Sequence, residues 1–194
     1  TVIGDGIVVY DTLGNKQWHW SIFDQVSAGF STGDWSHANA LSYDTDGNFL
    51  ISFRNFNQIW KINKSSGEIM WKLGEGGDFD LPDSLLFYQQ HAVHINPLGE
   101  IMIFDNGHKE KRPTSRALSF DIESNTLKSA WYVELPEKYF SFKQGSVFFI
   151  GKNKLLFCSS MTNTILVTDL NGNVLWEAKS DESFYRAEYI SDIK

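Results

Sequence analysis

Val8-Val9-Tyr10-Asp11, leading through Gly14-Asn15 to Trp18, is the stretch on which the fold turns, because the same unit returns three times. Ile59-Trp60-Lys61-Ile62 leads through Ser66-Gly67 to Trp71, and Leu118-Ser119-Phe120-Asp121 leads through Ser124-Asn125 to Trp131. The last copy runs from Leu166-Val167-Thr168-Asp169 through Asn171-Gly172-Asn173 to Trp176. Each unit is an apolar strand, a polar turn whose Gly or Asn tolerates a left-handed backbone, and a second strand carrying the Trp. The tryptophans recur roughly every 45 to 60 residues, the spacing of four-stranded propeller blades. One large ring per unit fills the wedge between neighbouring sheets, so packing is the expected role of all four.

Inner hairpins lie between these outer ones, with turns at Asp44-Thr45-Asp46-Gly47, Asn96-Pro97-Leu98-Gly99 and Gly151-Lys152-Asn153. The expected architecture is all-β: a β-propeller of four-stranded antiparallel blades, about four of them, in a single domain over residues 1–194. No Pro/Gly/Ser-rich linker divides the chain. Aromatic content of 15% with only four prolines favours strands over amphipathic helices.

A composition of 42% hydrophobic and 21% charged residues is that of a globular protein. The net charge of -7 would repel nucleic acid and anionic membrane, so neither is an expected partner, and an anionic substrate would need locally placed cations. No apolar run approaches the ~20 residues of a membrane-spanning helix, so no membrane insertion is expected. The N-terminal residues carry no basic, apolar export leader. Cys158, the sole cysteine, sits behind Leu155-Leu156-Phe157 and reads as a packed thiol.

Polar residues that could do chemistry cluster on the inner hairpins. With Tyr43 paired to Asn48 across the turn, residues whose numbers sum to 91 face each other, which sets His37 opposite Arg54 and Asn39 opposite Ser52. Strand alternation then points all four to one side. Aligning the turn glycines Gly47 and Gly99 superposes His91 on Asn39 and Asn106 on Arg54. Ser159, Ser160 and Thr162 fall in the corresponding region of the third inner hairpin, and are candidate substrate contacts together with Asn106. His19, His94 and His108 read as structural or solvated, and Asp34, Asp44, Asp46 and Asp105 as turn formers. A metal site using His37 and His91 lacks any short zinc-type ligand spacing, so no metal is expected.

Five fragments in order change the weight given to these residues: Asp34-Trp35-Ser36-His37-Ala38-Asn39-Ala40, Ser52-Phe53-Arg54, Gly67 with Trp71-Lys72-Leu73-Gly74, Gln90-His91, and Phe104-Asp105-Asn106-Gly107. Together with a closing Tyr185-Arg186-Ala187, they resemble the motif series of PAPS-independent arylsulfotransferases. The resemblance implies a six-bladed ring, of which this chain would lack N-terminal blades or borrow them from a partner chain. It also implies a sulfotransferase that moves a sulfuryl group from an aryl sulfate donor to a phenolic acceptor, ping-pong, through a sulfohistidine at His91. His37, Asn39 and Arg54 would serve as its other catalytic residues, no cofactor would be needed, and the protein would be periplasmic or secreted. A non-catalytic propeller that binds ligands or proteins is the alternative.

Overall fold

The second strand of each inner hairpin is a mostly apolar run, Phe49–Phe53 and Ile101–Asp105 being buried at every position. Such a run is what a strand needs when both of its faces are covered. The computed structural model, which describes residues 1–190, shows how this arises. Residues alternate between two wedges: Ile101 and Ile103 pack with Trp71, Leu118 and Phe120 on one side, while Met102 and Phe104 pack with Val147, Leu155 and Phe157 on the other. Leu50 likewise joins the first of these wedges, and its neighbours Phe49, Ile51 and Phe53 join a third with Ile7 and Trp20.

Sixteen short strands are formed by the described residues. β1 (Val2–Ile3) pairs in parallel with β4 (Gly33–Asp34), and β2 (Gly6–Tyr10) pairs with β3 (Lys16–Ser21). Three antiparallel four-stranded sheets follow. The first contains β5 (Ala38–Tyr43), β6 (Phe49–Phe53), β7 (Gln58–Ile62) and β8 (Ile69–Gly74). The second contains β9 (His91–Ile95), β10 (Ile101–Asp105), β11 (Arg116–Glu123) and β12 (Thr126–Glu134); the third contains β13 (Ser146–Ile150), β14 (Lys154–Ser159), β15 (Thr164–Asp169) and β16 (Val174–Lys179). Each sheet keeps its strands in sequence order, as propeller blades do. The described residues thus hold three complete blades and a two-stranded fourth, β2–β3, where about four complete ones were expected.

The repeat is visible in backbone detail. Each outer hairpin carries a β-bulge near its turn, between Val9 and Tyr10, Lys61 and Ile62, Asp121 and Ile122, and Val167 and Thr168. The Trp of the first three units packs beyond its own hairpin: Trp18 stacks on Phe49 of the following blade with centroids 5.3 Å apart, Trp71 meets Phe79 of the connecting segment at 5.5 Å, and Trp131 meets Phe149 of the following blade at 6.0 Å. Trp176 departs from the expected packing role. It lies on β16, the outermost strand of the last sheet, and stays 53% exposed because no following blade covers it among the described residues.

The expected register of the first inner hairpin needs correcting. Tyr43 pairs with Phe49, not Asn48, because residues 44–48 close a five-residue turn in which Asp44 N–H donates to Asn48 O at 2.8 Å. A β-bulge at Asn39 then restores the expected pairing at the other end, where Ala38 faces Phe53 and Arg54 N–H donates to His37 O at 3.0 Å. His37 therefore does stand opposite Arg54, but Ser52 pairs with Ala40 and Asn39 occupies the bulge. The aspartates also do more than form turns. Asp44 and Asp46 both hold Lys61, and Asp105, fully buried, pairs with Arg112 and Arg116.

Candidate functional site

Each inner strand begins in the same way. A left-handed residue, His37 (φ 49°), Gln89 (φ 55°) or Gln144 (φ 57°), turns the chain inward, and two residues later a polar side chain reaches chain beyond its own blade. Asn39 Nδ2 donates to Gln90 O at 2.7 Å, His91 Nε2 accepts from Gln144 N–H at 3.1 Å, and Ser146 Oγ exchanges hydrogen bonds with Ala187. The triplets His37-Ala38-Asn39, Gln89-Gln90-His91 and Gln144-Gly145-Ser146 are equivalent positions of three blades.

His91 is 3% exposed and held at both ring nitrogens. Nδ1 lies 2.8 Å from Asn106 Oδ1 and 2.9 Å from Gln89 O. Both partners are acceptors on the ring side, because Asn106 Nδ2 already donates to Ser141 O and Gln144 O at 2.6 and 2.7 Å. That assigns the proton to Nδ1 and the lone pair to Nε2. Burial pushes the His91 pKa down to about 4; the hydrogen bonds that Nδ1–H donates to Asn106 and Gln89 oppose the shift, and the Arg54 guanidinium reinforces it. The imidazole is therefore neutral near pH 7.

Gln90 ties the blade of Arg54 to the blade of His91. Its fully buried Nε2 donates to Ser52 Oγ, Phe53 O and Gln58 O at 3.0 to 3.2 Å. Arg54, half-buried on the short 3₁₀ turn Arg54–Phe56, has no carboxylate within ion-pair distance among the described residues. Its one side-chain hydrogen bond among the described residues goes to Asn55 Oδ1 at 3.4 Å. Burial lowers its pKa and the Asp34 carboxylate partly offsets the shift. A cation so placed is a ready partner for an anionic substrate. His37 pairs through Nδ1 with the Asp34 carboxylate, which orients the ring and leaves Nε2 unbonded among the described residues.

The remaining candidates are placed differently. Asn106 is fully buried with its amide committed to His91, Ser141 and Gln144, so it positions the imidazole and has no polar atom left for a substrate. Ser159 Oγ donates to Tyr139 O at 2.8 Å, and Thr162 Oγ1 donates back to Ser159, so both brace the 3₁₀ turn Ser160–Thr162. Ser160 Oγ reaches Gln144 Oε1 at 2.9 Å and so touches the site through Gln144. Sequence reasoning missed Gln144, Asp34 and Tyr185, whose ring lies edge-on to His91 with centroids 6.4 Å apart. Aligning the third triplet with the first two would have found Gln144. No group of three or more His, Cys, Asp or Glu side chains is placed to hold a metal among the described residues, and no helix is long and apolar enough to cross a membrane.

Burying a neutral imidazole links stability to pH. The unfolded chain binds a proton at His91 near pH 6.5 and the folded one only near pH 4, so the contribution is complete above pH 6.5 and is lost as pH falls towards 4. The loss from His91 amounts to roughly 3 kcal/mol. Burial lowers the His94 pKa too, with the same sign. Urea midpoints measured from pH 7.5 to 4 should fall across this window, and His91→Asn should flatten the decline.

Solved structures share this fold at low sequence identity. A protein of unknown function from Bacteroides caccae superposes with a TM-score of 0.58 at 15% identity, over 92% of this chain and 55% of that one. Virginiamycin B lyase from Staphylococcus aureus gives 0.55 at 11% identity, over 92% and 50%. A catalytically inactive variant of that lyase with quinupristin gives 0.55 at 19%, over 91% and 49%. The sheets are thus arranged as in propeller-like neighbours, and this chain spans about half the length of the chains it matches. No curated protein matches it in sequence. Because the match to the arylsulfotransferase (ASST) family runs over residues 14–181, taking in the hairpins that carry His37, Arg54, His91 and Asn106, the chain belongs to that family.

Proposed function

We propose that the protein moves a sulfuryl group from an aryl sulfate ester to a phenolic acceptor, by a ping-pong route through a sulfohistidine at His91, within a complete six-bladed ring. The observations that carry this reading are a buried neutral imidazole whose proton is held on Nδ1 and, on the preceding blade, a half-buried arginine with no carboxylate within ion-pair distance among the described residues. In the first half-reaction the Nε2 lone pair forms the N–S bond while the S–O(aryl) bond breaks, and the leaving aryloxide takes a proton from His37. Sulfation makes the ring cationic, which strengthens the Nδ1–H bonds to Asn106 and Gln89. In the second half-reaction His37 removes the acceptor's proton, the phenolic oxygen attacks sulfur, and the N–S electron pair returns to Nε2. Arg54 and the Asn39 amide compensate charge on the three nonbridging oxygens. The resting Gln144 N–H covers Nε2, so attack requires segment 141–145 to draw back, which frees that N–H for a sulfuryl oxygen. A periplasmic or secreted location is part of the same proposal.

The test is intact-mass analysis of the full-length protein given aryl sulfate without acceptor, handled at neutral or alkaline pH because acid promotes loss of an N-sulfated ring. One sulfuryl group per chain is expected, with a matching burst of phenol. An unlabelled protein would return His91 to the stapling role that Asn39 and Ser146 have, and would favour a ligand-binding propeller.

A further inference from the structure

A cavity of about 230 Å³ is lined by Gln89, His108, Lys109, Glu110 and Phe142. Two of its walls belong to segments that bracket the imidazole. Gln89 O is bonded to His91 Nδ1, and Phe142 stands two residues before Gln144, whose N–H meets Nε2. An apolar cavity of about 150 Å³ holds benzene, so this one has room for a single substituted ring.

Its third wall is a tongue. His108 and Arg112 bridge through reciprocal backbone hydrogen bonds of 2.9 Å, and Arg112 anchors the base on buried Asp105 and on Thr114 O. That anchoring spends the charge of Arg112 and presents Lys109 near the tip. The Lys109 ammonium lies 4.4 Å from the Phe142 ring centroid, and that of Lys143 lies 5.9 Å from it. Neither lysine has a carboxylate within ion-pair distance among the described residues. Against them stands one acid, Glu110, so the rim carries a surplus of positive charge in a chain whose net charge is -7.

We propose that this cavity is the aryl subsite and that it selects a ring carrying an anionic substituent, a carboxylate above all. The ring would pack against Phe142 and the carboxylate would meet Lys109 and Lys143. This inference rests on the sulfuryl transfer proposed above, since it places the substrate's ring beside His91.

The experiment compares the sulfate esters of 4-hydroxybenzoate and 4-nitrophenol as donors to the full-length protein and its Lys109→Met variant. Leaving-group differences cancel when the ratio of kcat/KM values is compared between proteins. That ratio should fall about tenfold in favour of the neutral ring in Lys109→Met, and stay unchanged in Lys152→Met, which removes a charge from the turn between β13 and β14. Calorimetric binding of 4-hydroxybenzoate, which needs no turnover, should weaken in parallel. Turnover with an unchanged ratio overturns the aryl subsite and leaves the sulfuryl transfer standing. No turnover of either ester, with Lys109-dependent binding retained, overturns the transfer and leaves an anionic-aryl site. Loss of both overturns both.

Discussion

His91→Asn is expected to abolish aryl sulfate turnover, by on the order of 10⁴-fold or more, and to remove both the phenol burst and the sulfuryl label. The substitution suits the geometry. The Asn Nδ2 falls near the position of the imidazole Nδ1 and keeps a donor towards Asn106 Oδ1 and Gln89 O, while the nucleophilic Nε2 disappears. The Gln144 N–H loses its acceptor, which costs about 1 to 3 kcal/mol if no water replaces it, so the variant should fold with a lowered melting temperature. Pre-steady-state phenol release and peptide mapping read the result. Turnover surviving near the wild-type rate, or a label on another residue, would remove His91 from the mechanism.

The parts of the fold that the sequence exposes are those set by side-chain chemistry at short range. Apolar runs ending at Gly and Asn turns show the outer hairpins, and the recurrence of Trp18, Trp71, Trp131 and Trp176 shows that they are copies. What escapes is set by the backbone or by distant chain. The bulge at Asn39 has no residue signature, because Asn39 and Ala40 are both tolerated in a regular strand, yet it moves Asn39 away from Ser52. The exposure of Trp176 depends on whether another sheet follows, which no local pattern encodes. Asp105 reads as a turn former beside Gly107 because Arg112 and Arg116, which make it a buried ion-pair hub, arrive from another strand and loop.

The site shows the same division. Its His and Arg are legible because they fall in the ordered motif fragments and because His37 and Arg54 stand opposite each other across one hairpin. The atoms that set the state of His91 are not. Asn106 follows the end of the adjacent strand, whereas the Gln144 N–H lies just before the next blade, and a backbone donor leaves no mark on residue identity. Equivalence of blades is the one route to it: His37, Gln89 and Gln144 share a left-handed φ, so whatever Asn39 does to its neighbouring blade, His91 does to Gln144.

Arg54→Lys should lower kcat by on the order of 10²-fold, with a smaller effect on KM, if the guanidinium stabilises the transferring sulfuryl group. Charge alone does not decide this. The arginine is half-buried, its pKa is lowered by that burial, and no carboxylate within ion-pair distance fixes it among the described residues, so its planar fork is available to two sulfuryl oxygens at once. A lysine at the same place offers a shorter, point-like ammonium that meets one oxygen, and burial works more effectively against its charge. Because the transition state spreads negative charge over all three nonbridging oxygens, the second contact matters more there than in the bound ester, and kcat carries the loss. Folding should be little affected, since Arg54 lies on a short 3₁₀ turn outside the apolar clusters. Single-turnover phenol release reads the sulfuryl transfer step directly, with circular dichroism as the check on fold. Wild-type turnover in a folded Arg54→Lys protein would mean that one cation suffices, and the forked contact would then have no part in the reaction.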